Sequence, residues 1–323
     1  MKLFALNSSK EFGQLVASEL GIALSQHEEL EFKDGEHKSR PLENVRNQEV
    51  FVIQSLYADE SQTINDKLCY LLFFIGALKD ASAKRITAVI PYLGYARLDQ
   101  KVDFRDPVTT RYMAALFEAV GVAQVVTMDV HDIPAFQNAF RCVTENLQAK
   151  KILADYLVSV VKNDSLVVLS PDIGGIKRAE LLQKSLIKRL QKEVPLAFME
   201  KYRKAGVLSG ETVVGDVAGK TVIMVDDMVS TGTTITRAAA ACKKAGAAKI
   251  WVVITHGLFS GNAPEILKEA DIHQIITTNT IPPFRLEDKP LRKKVEVLNV
   301  APLFAAAIKR IDEGGSVTEL LAD

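Results

Sequence analysis

The chain has 323 residues, 48% hydrophobic and 25% charged, enough length and apolar content for two α/β domains of ordinary globular composition. Its 40 Lys and Arg balance 40 Asp and Glu, so net charge provides no attraction to nucleic acid or to a membrane surface. The cysteines Cys69, Cys142 and Cys242 are odd in number, far apart and without metal-ligand spacing, which argues against a disulfide framework and for core packing in a reduced, cytoplasmic setting.

In chain order, the N-terminal apolar run is too short for a signal sequence and reads as a strand at 3–6. Ser8 and Glu11 have capping-box spacing for a helix running to about Leu20. Apolar strand candidates recur at 50–54, 86–90, 125–128, 166–169, 222–225, 251–254 and 275–277, with helical stretches at 65–82, 108–120, 147–161 and 175–190. The most apolar segment, 69–78, is about half the length of a membrane span and reads as a buried helix. Strand alternating with helix predicts parallel sheets covered on both faces. The polar stretch 141–148 marks the expected boundary between domains 1–145 and 146–323, with a last strand and helix at 295–311 free to pack back on the first domain.

The stretch 221–237, TVIMVDDMVSTGTTITR, concentrates the chemistry. Residues 222–225 form the unbroken apolar run of a strand buried on both faces, which is expected to stop at the adjacent carboxylates Asp226 and Asp227. Ser230, Thr231, Gly232, Thr233 and Thr234 follow and lead into an Ala-rich helix at 235–245. Small hydroxyls and a glycine at a helix start suit a phosphate, and paired acids at a strand's carboxyl end suit sugar hydroxyls or a cation. The simpler reading is that Asp226 ends a strand and Ser230 caps a helix. Gly219, Lys220 and Thr221 mimic the end of a P-loop, but Val214 stands where that motif needs glycine and a strand follows, so that reading fails.

Other segments carry weaker signals. SPDIGGIKR at 170–178 is a second strand-loop-helix junction, with Asp172, Gly174 and Gly175 placed to hold a phosphate and a basic pair entering the helix. TMDVHD at 127–132 puts Asp129 and His131 at a strand tip, where a lone histidine is more often structural. EKYRK at 200–204 follows a strand at 196–199 and reads as a basic hairpin, Phe32 in FKDGE as an ordinary core-edge residue, and His256 in THGLFSG as a structural residue after a strand.

The stretch 221–237 resembles the 5-phosphoribosyl-1-diphosphate (PRPP) binding motif, and the remaining motifs, in this order, resemble those of PRPP synthetases (ribose-phosphate diphosphokinases) across nearly the whole chain. The resemblance implies two similar phosphoribosyltransferase-like α/β domains, each a mostly parallel sheet flanked by helices. It implies Mg-dependent transfer of diphosphate from ATP to the anomeric hydroxyl of ribose 5-phosphate. Asp226 and Asp227 then hold the ribose and Ser230 to Thr234 its 5-phosphate, while Asp172, Gly174 and Gly175 cradle diphosphate. His131 and Asp172 bind magnesium, and Lys201 and Arg203 are the catalytic cations of a flexible loop. Phe32, Asp34 and Glu36, with Arg97 and Asp99 of YARLD, form the ATP site, shared with a neighbouring subunit in a dimer-based homo-oligomer, possibly a hexamer.

The chain departs from the family at three places. Leu98 replaces the usual Gln of the adenine segment, which opens the question of nucleotide selectivity. The segment after His131 lacks the family's Q-I-Q-G-F-F run, which leaves phosphate activation and ADP inhibition open. Ser230 stands where many synthetases have Asp, as in phosphoribosyltransferases that consume PRPP; such an enzyme, or a non-catalytic regulatory subunit, is the alternative reading.

Overall fold

The computed structural model describes residues 1–161, 164–204 and 207–321, with the side chains of 201–211 outside that description. The chain divides into two compact units, residues 1–148 with 300–322 and residues 149–299. The first contains β1 (Lys2–Ala5), α1 (Lys10–Leu20), the hairpin β2 (His27–Glu31) and β3 (His37–Pro41), β4 (Glu49–Ile53), α2 (Ile64–Asp80), β5 (Arg85–Ile90), α3 (Thr109–Ala119), β6 (Gln124–Met128), α4 (Ile133–Ala139) and β7 (Val143–Leu147). Its five-stranded sheet has the order β1-β4-β5-β6-β7 and is parallel throughout. Both faces of the central strands β4 and β5 are buried and mostly apolar, as a covered parallel sheet requires. Leu71, Phe74 and Ile75 of α2 and Phe117 of α3 pack on one core together with Phe4, Val52 and Ile90.

Local chemistry decides where helices start. The box expected at Ser8 does not form: Asn7–Ser9 is a short 3-10 turn, and Ser9, the N-cap of α1, makes no side-chain capping bond. Instead Ser9 Oγ accepts the Ser55 N–H at 2.9 Å, so its hydroxyl serves a neighbouring strand end. A full capping box occurs on α2, where the Thr63 hydroxyl accepts from the Asp66 N–H and the Asp66 carboxylate accepts from the Thr63 N–H at 2.7 Å. Lys67 of the same turn is fully buried, ion-paired to Asp59 and 3.5 Å from the centroid of the Tyr57 ring. Burial pushes the Asp59 carboxyl up, but the Lys67 and Ser61 side chains and nearby backbone N–H groups outweigh it and hold the group at about 2.

The second unit contains α5 (Lys150–Val161), β8 (Leu166–Ser170), α6 (Ile176–Leu190), β9 (Leu196–Lys204), β10 (Val207–Val214), β11 (Thr221–Val229), α7 (Thr233–Lys244), β12 (Lys249–Gly257), α8 (Ala263–Glu269), β13 (Gln274–Thr278) and β14 (Val295–Leu298). Its seven-stranded sheet has the order β10-β9-β8-β11-β12-β13-β14, parallel except for the antiparallel β9–β10 edge. From β8 the chain first adds β9 on one side and later β11 on the other, so the order reverses between β8 and β11. Open α/β sheets bind ligands at such a reversal, outside the carboxyl ends of the strands. The segment 295–311 is divided: β14 pairs with β13, whereas α9 (Ala301–Glu313) belongs to the first unit, where Phe304 meets Phe12 edge to face at 5.4 Å. A short α10 (Thr318–Leu321) follows.

Among the described residues no helix is long and apolar enough to cross a membrane. The cysteines are free thiols; burial pushes Cys142 up to about 11 and Cys242 up to about 12, which leaves both protonated and unreactive.

Candidate functional site

The reversal between β8 and β11 brings two of the sequence motifs to adjacent strand ends. After β8, buried Ser170 donates its hydroxyl to the Asp172 carbonyl at 2.7 Å, and the Gly175 N–H donates to Asp172 Oδ1 at 2.9 Å. This is a turn closed by an Asp side chain, and it delivers the chain into α6. Gly175 is required by space: a Cβ there would lie 2.6 Å from Ser170 Oγ. Gly174 has no such constraint, since its closest neighbour would be Asp172 Oδ1 at 3.5 Å, and it is exposed.

The neighbouring strand corrects one expectation. β11 does not stop at the acids but runs through them to Val229, because Asp226 is paired with Ile254, Met228 with His256 and Val229 with Gly257 of β12. Asp227 is therefore only 2% exposed, while Asp226 stays partly open. Arg178, in the first turn of α6, reaches across from the other loop: Nη1 lies 3.0 Å from Asp226 Oδ1 and Nη2 3.6 Å from Asp227 Oδ1. Asp226 Oδ1 also accepts the Asp227 N–H at 2.8 Å. Burial, then the adjacent Asp227 charge, push the Asp226 carboxyl well above its ordinary range, and Arg178 opposes them only in part. Arg178 had entered the sequence reading only as one of a basic pair. A readable signal existed, because a cation in the first turn of a helix opposes the helix dipole unless an anion lies within reach.

α7 begins at Thr233 with Gly232 as its N-cap in the left-handed conformation, φ +78°. A glycine cap offers no side-chain acceptor, so the first-turn N–H groups of α7 are not capped from within. The Thr231 and Thr233 hydroxyls sit 3.3 Å apart beside them, and Thr231, Thr233 and Thr234 are exposed. Partly buried Ser230 contributes its carbonyl to the Ser260 N–H at 2.9 Å. Such an arrangement binds an anion through backbone donors, hydroxyls and the helix dipole together. Gly232→Ala is expected to cost about 1–2 kcal/mol through its left-handed backbone, and more because the new Cβ would lie 3.0 Å from Leu267 Cγ. Thermal melts together with ribose 5-phosphate affinity check this; an unchanged affinity in a folded variant would separate the turn from ligand binding.

In the first unit, Phe32, Asp34 and Glu36 occupy the tip of the β2–β3 hairpin. The Phe32 N–H donates to the Glu36 carbonyl at 2.7 Å, the Gly35 N–H returns to Phe32 at 3.0 Å, and Asp34 Oδ1 accepts the Glu36 N–H at 3.2 Å. The Phe32 ring is 50% exposed, not part of a core edge. Arg97 and Asp99 lie on a different loop, after β5, with Arg97 exposed and Asp99 partly so. That loop is pinned by a residue the sequence reading had not singled out: the Thr110 hydroxyl lies 3.1 Å from both the Tyr95 and Leu98 carbonyls, and its N–H donates to Leu98 at 3.2 Å. His131 is exposed just beyond β6, two residues after Asp129, whose φ is +39°. His131 belongs to the first unit and Asp172 to the second. Lys201 and Arg203 lie on β9, opposite Glu211 and Leu208 of β10, with their side chains outside the description.

Comparison with known proteins gives a consistent answer. A family model described as the N-terminal domain of ribose phosphate pyrophosphokinase matches residues 1–121, and one described as the phosphoribosyl synthetase-associated domain matches residues 183–322. A ribose-phosphate pyrophosphokinase of Caldanaerobacter subterraneus is 42% identical, covering 99% of this chain and 97% of its own. One from Bacillus caldolyticus is 40% identical over 99% of this chain and 97% of its own. Among solved structures, the phosphoribosylpyrophosphate synthetase of Mycobacterium smegmatis superimposes with a TM-score of 0.88 at 36% identity, covering 97% of this chain and 99% of that one.

Proposed function

The chain belongs to the ribose-phosphate pyrophosphokinase family, and from that premise we propose which of its residues perform PRPP synthesis and how. The activity is ribose-phosphate diphosphokinase. On our reading ATP is the donor: the anomeric oxygen of ribose 5-phosphate attacks the β-phosphorus in line, the bond from that phosphorus to the oxygen bridging to the α-phosphate breaks, AMP leaves, and the hydroxyl proton is lost. The observation that carries the assignment is the Arg178 bridge at the strand reversal. It ties the Asp172 loop to the Asp226–Asp227 pair within one unit, which supports reading the two as neighbouring holders of diphosphate and ribose.

Ribose hydroxyls donate to Asp226 and Asp227, and the 5-phosphate accepts from Ser230, Thr231, Thr233, Thr234 and the backbone at Gly232. Asp172, Gly174 and Gly175 hold the diphosphate that is transferred. Lys201 and Arg203 supply positive charge as negative charge builds on the leaving AMP. Magnesium keeps most of its waters and needs only one or two carboxylates beside bound phosphates. Asp172 fits that demand: Oδ1 holds Gly175, and Oδ2 has no hydrogen-bond partner among the described residues. No group of three or more His, Cys, Asp or Glu able to hold a metal occurs among the described residues. Asp172 and His131 would hold magnesium, which when bound neutralises phosphate charge and aligns the transferred group.

Phe32 stacks on adenine, Asp34 and Glu36 approach the adenosine, and Arg97 with Asp99 completes the nucleotide site. Half exposure of the Phe32 ring at a hairpin tip supports a site shared between subunits of a homo-oligomer, at least a dimer and possibly a hexamer. The three free thiols, of which Cys242 is buried, support a cytoplasmic setting. Incubating the purified chain with ATP, magnesium and ribose 5-phosphate should release AMP and PRPP together; no AMP above the level without sugar phosphate would overturn the donor assignment. Leu98→Gln should sharpen preference for ATP over GTP by about threefold to tenfold, the worth of one hydrogen bond. An unchanged preference would show that exposed Leu98 does not read the base.

A further inference from the structure

The segment 257–260, which starts at the last residue of β12 and includes none of the proposed ligand-binding residues, is tied to the phosphate loop from behind. Two successive N–H groups, of Leu258 and Phe259, donate to the Val229 carbonyl at 2.9 and 3.1 Å, and the Ser260 N–H donates to the Ser230 carbonyl at 2.9 Å. These bonds fall on the last residue of β11 and the first residue of the loop. The segment is itself held rigidly. Arg285 Nη1 donates to the Leu258 carbonyl at 2.9 Å, and the His256 ring lies 2.8 Å from the Thr280 hydroxyl through Nδ1.

Phe259 is the anchor. It has a left-handed backbone, φ +46°, which is unfavourable for a bulky side chain, yet its ring is only 1% exposed. The conformation persists because the surrounding packing over-determines it. The ring shares a core with Ile235 of α7 and Leu267 of α8, and Leu267 is the side chain against which a Cβ at Gly232 would press. Gly257 completes the fit: a Cβ there would lie 2.5 Å from Phe259 Cε2 and 3.0 Å from Thr277 Oγ1. Strain of this kind, next to a loop of exposed hydroxyls, fixes where the loop's donors stand before ligand arrives.

We propose that residues 257–260 form a brace, anchored by Phe259, that presets the phosphate loop and thereby the affinity for ribose 5-phosphate. Gly257, Phe259 and Arg285 are positioning residues in this account. It rests on the reading of 230–234 as the holder of the 5-phosphate. A shift of the loop by a fraction of an ångström lengthens several charge-assisted hydrogen bonds at once and leaves the nucleotide contacts of the first unit unchanged.

The test uses the full chain with magnesium, varying ribose 5-phosphate at saturating ATP and ATP at saturating ribose 5-phosphate. Gly257→Ala should raise KM for ribose 5-phosphate about tenfold while kcat and KM for ATP stay within about twofold. Adding Phe259→Leu, which removes the ring atoms that the new methyl would meet, should recover most of the loss. A general structural defect would not be repaired by trimming a second buried side chain. Arg285→Ala, which frees the Leu258 carbonyl without touching the core, should raise the same KM about threefold and carries the test if Gly257→Ala does not fold. An unchanged KM for ribose 5-phosphate, a parallel rise in KM for ATP, or no recovery in the double variant overturns the brace. Thr234→Ala separates the two readings: if it raises KM for ribose 5-phosphate while the brace variants do not, the brace alone fails, and if it has no effect, the phosphate-loop assignment fails.

Discussion

Alanine at Lys201 or at Arg203 is expected to lower turnover by about a thousandfold, with the dissociation constant for ATP changed by less than about threefold. The two positions lie on β9, whose antiparallel pairing with β10 forms the edge of the second unit's sheet. Phosphoryl transfer involves little covalent help from a protein, so removing a cation that meets charge only as the bond to AMP breaks should be felt in kcat rather than in ground-state binding. Single-turnover release of AMP, measured beside equilibrium binding of a non-hydrolysable ATP analogue, separates the two. Equal losses in both would make these residues nucleotide binders rather than catalytic ones.

Arg178→Ala should have the second-largest effect, lowering kcat/KM for ribose 5-phosphate by about a hundredfold. The guanidinium spans Asp226 and Asp227 with separate nitrogens, so Arg178→Lys, with a single ammonium, should recover little. The pH dependence gives a sharper readout. In the intact protein the Asp226 carboxyl sits well above its ordinary range, chiefly through burial and the Asp227 charge, with Arg178 pulling it down. A raised acid binds more protons folded than unfolded, so its contribution to stability is most favourable below the unfolded pKa and is lost as pH rises through the folded value. Removing Arg178 raises Asp226 further. The variant should therefore lose more stability at pH 8 than at pH 5, about 3 kcal/mol at the higher pH for an uncompensated buried charge. The acid limb of kcat/KM for ribose 5-phosphate should move to higher pH in the same variant. Thermal melts at the two pH values and a pH–rate profile check both; a loss of equal size at all pH values would mean that Arg178 only packs.

Much of the candidate site was legible along the chain because its parts are local. Asp172 with Gly175, and Gly232 with its threonines, are turns written within a few residues, and their chemistry follows from short side chains and a glycine. The hairpin tip at 32–36 is local in the same sense, although its exposure was not: Phe32 alone would have read as a core residue. Ser8 shows the limit of such reading. The capping spacing is present, yet the Ser8 hydroxyl accepts from Gln54 Nε2 at 2.8 Å, a partner 46 residues away that no local pattern announces.

By itself the sequence determined the α/β class, the positions of most strands and helices, and two glycine-containing turns with their acids, since each depends on periodicity or on a few adjacent residues. Only the tertiary structure decided that β11 runs through Asp226 and Asp227, because that depends on parallel pairing with β12, as in Val229 with Gly257. It also decided the reversal between β8 and β11, the Arg178 bridge across it and the hydrogen bonds from residues 258–260 to Val229 and Ser230. Parallel strands pair across long connections, so which turn lies beside which is fixed by sheet order and packing, quantities to which residues close in sequence contribute almost nothing.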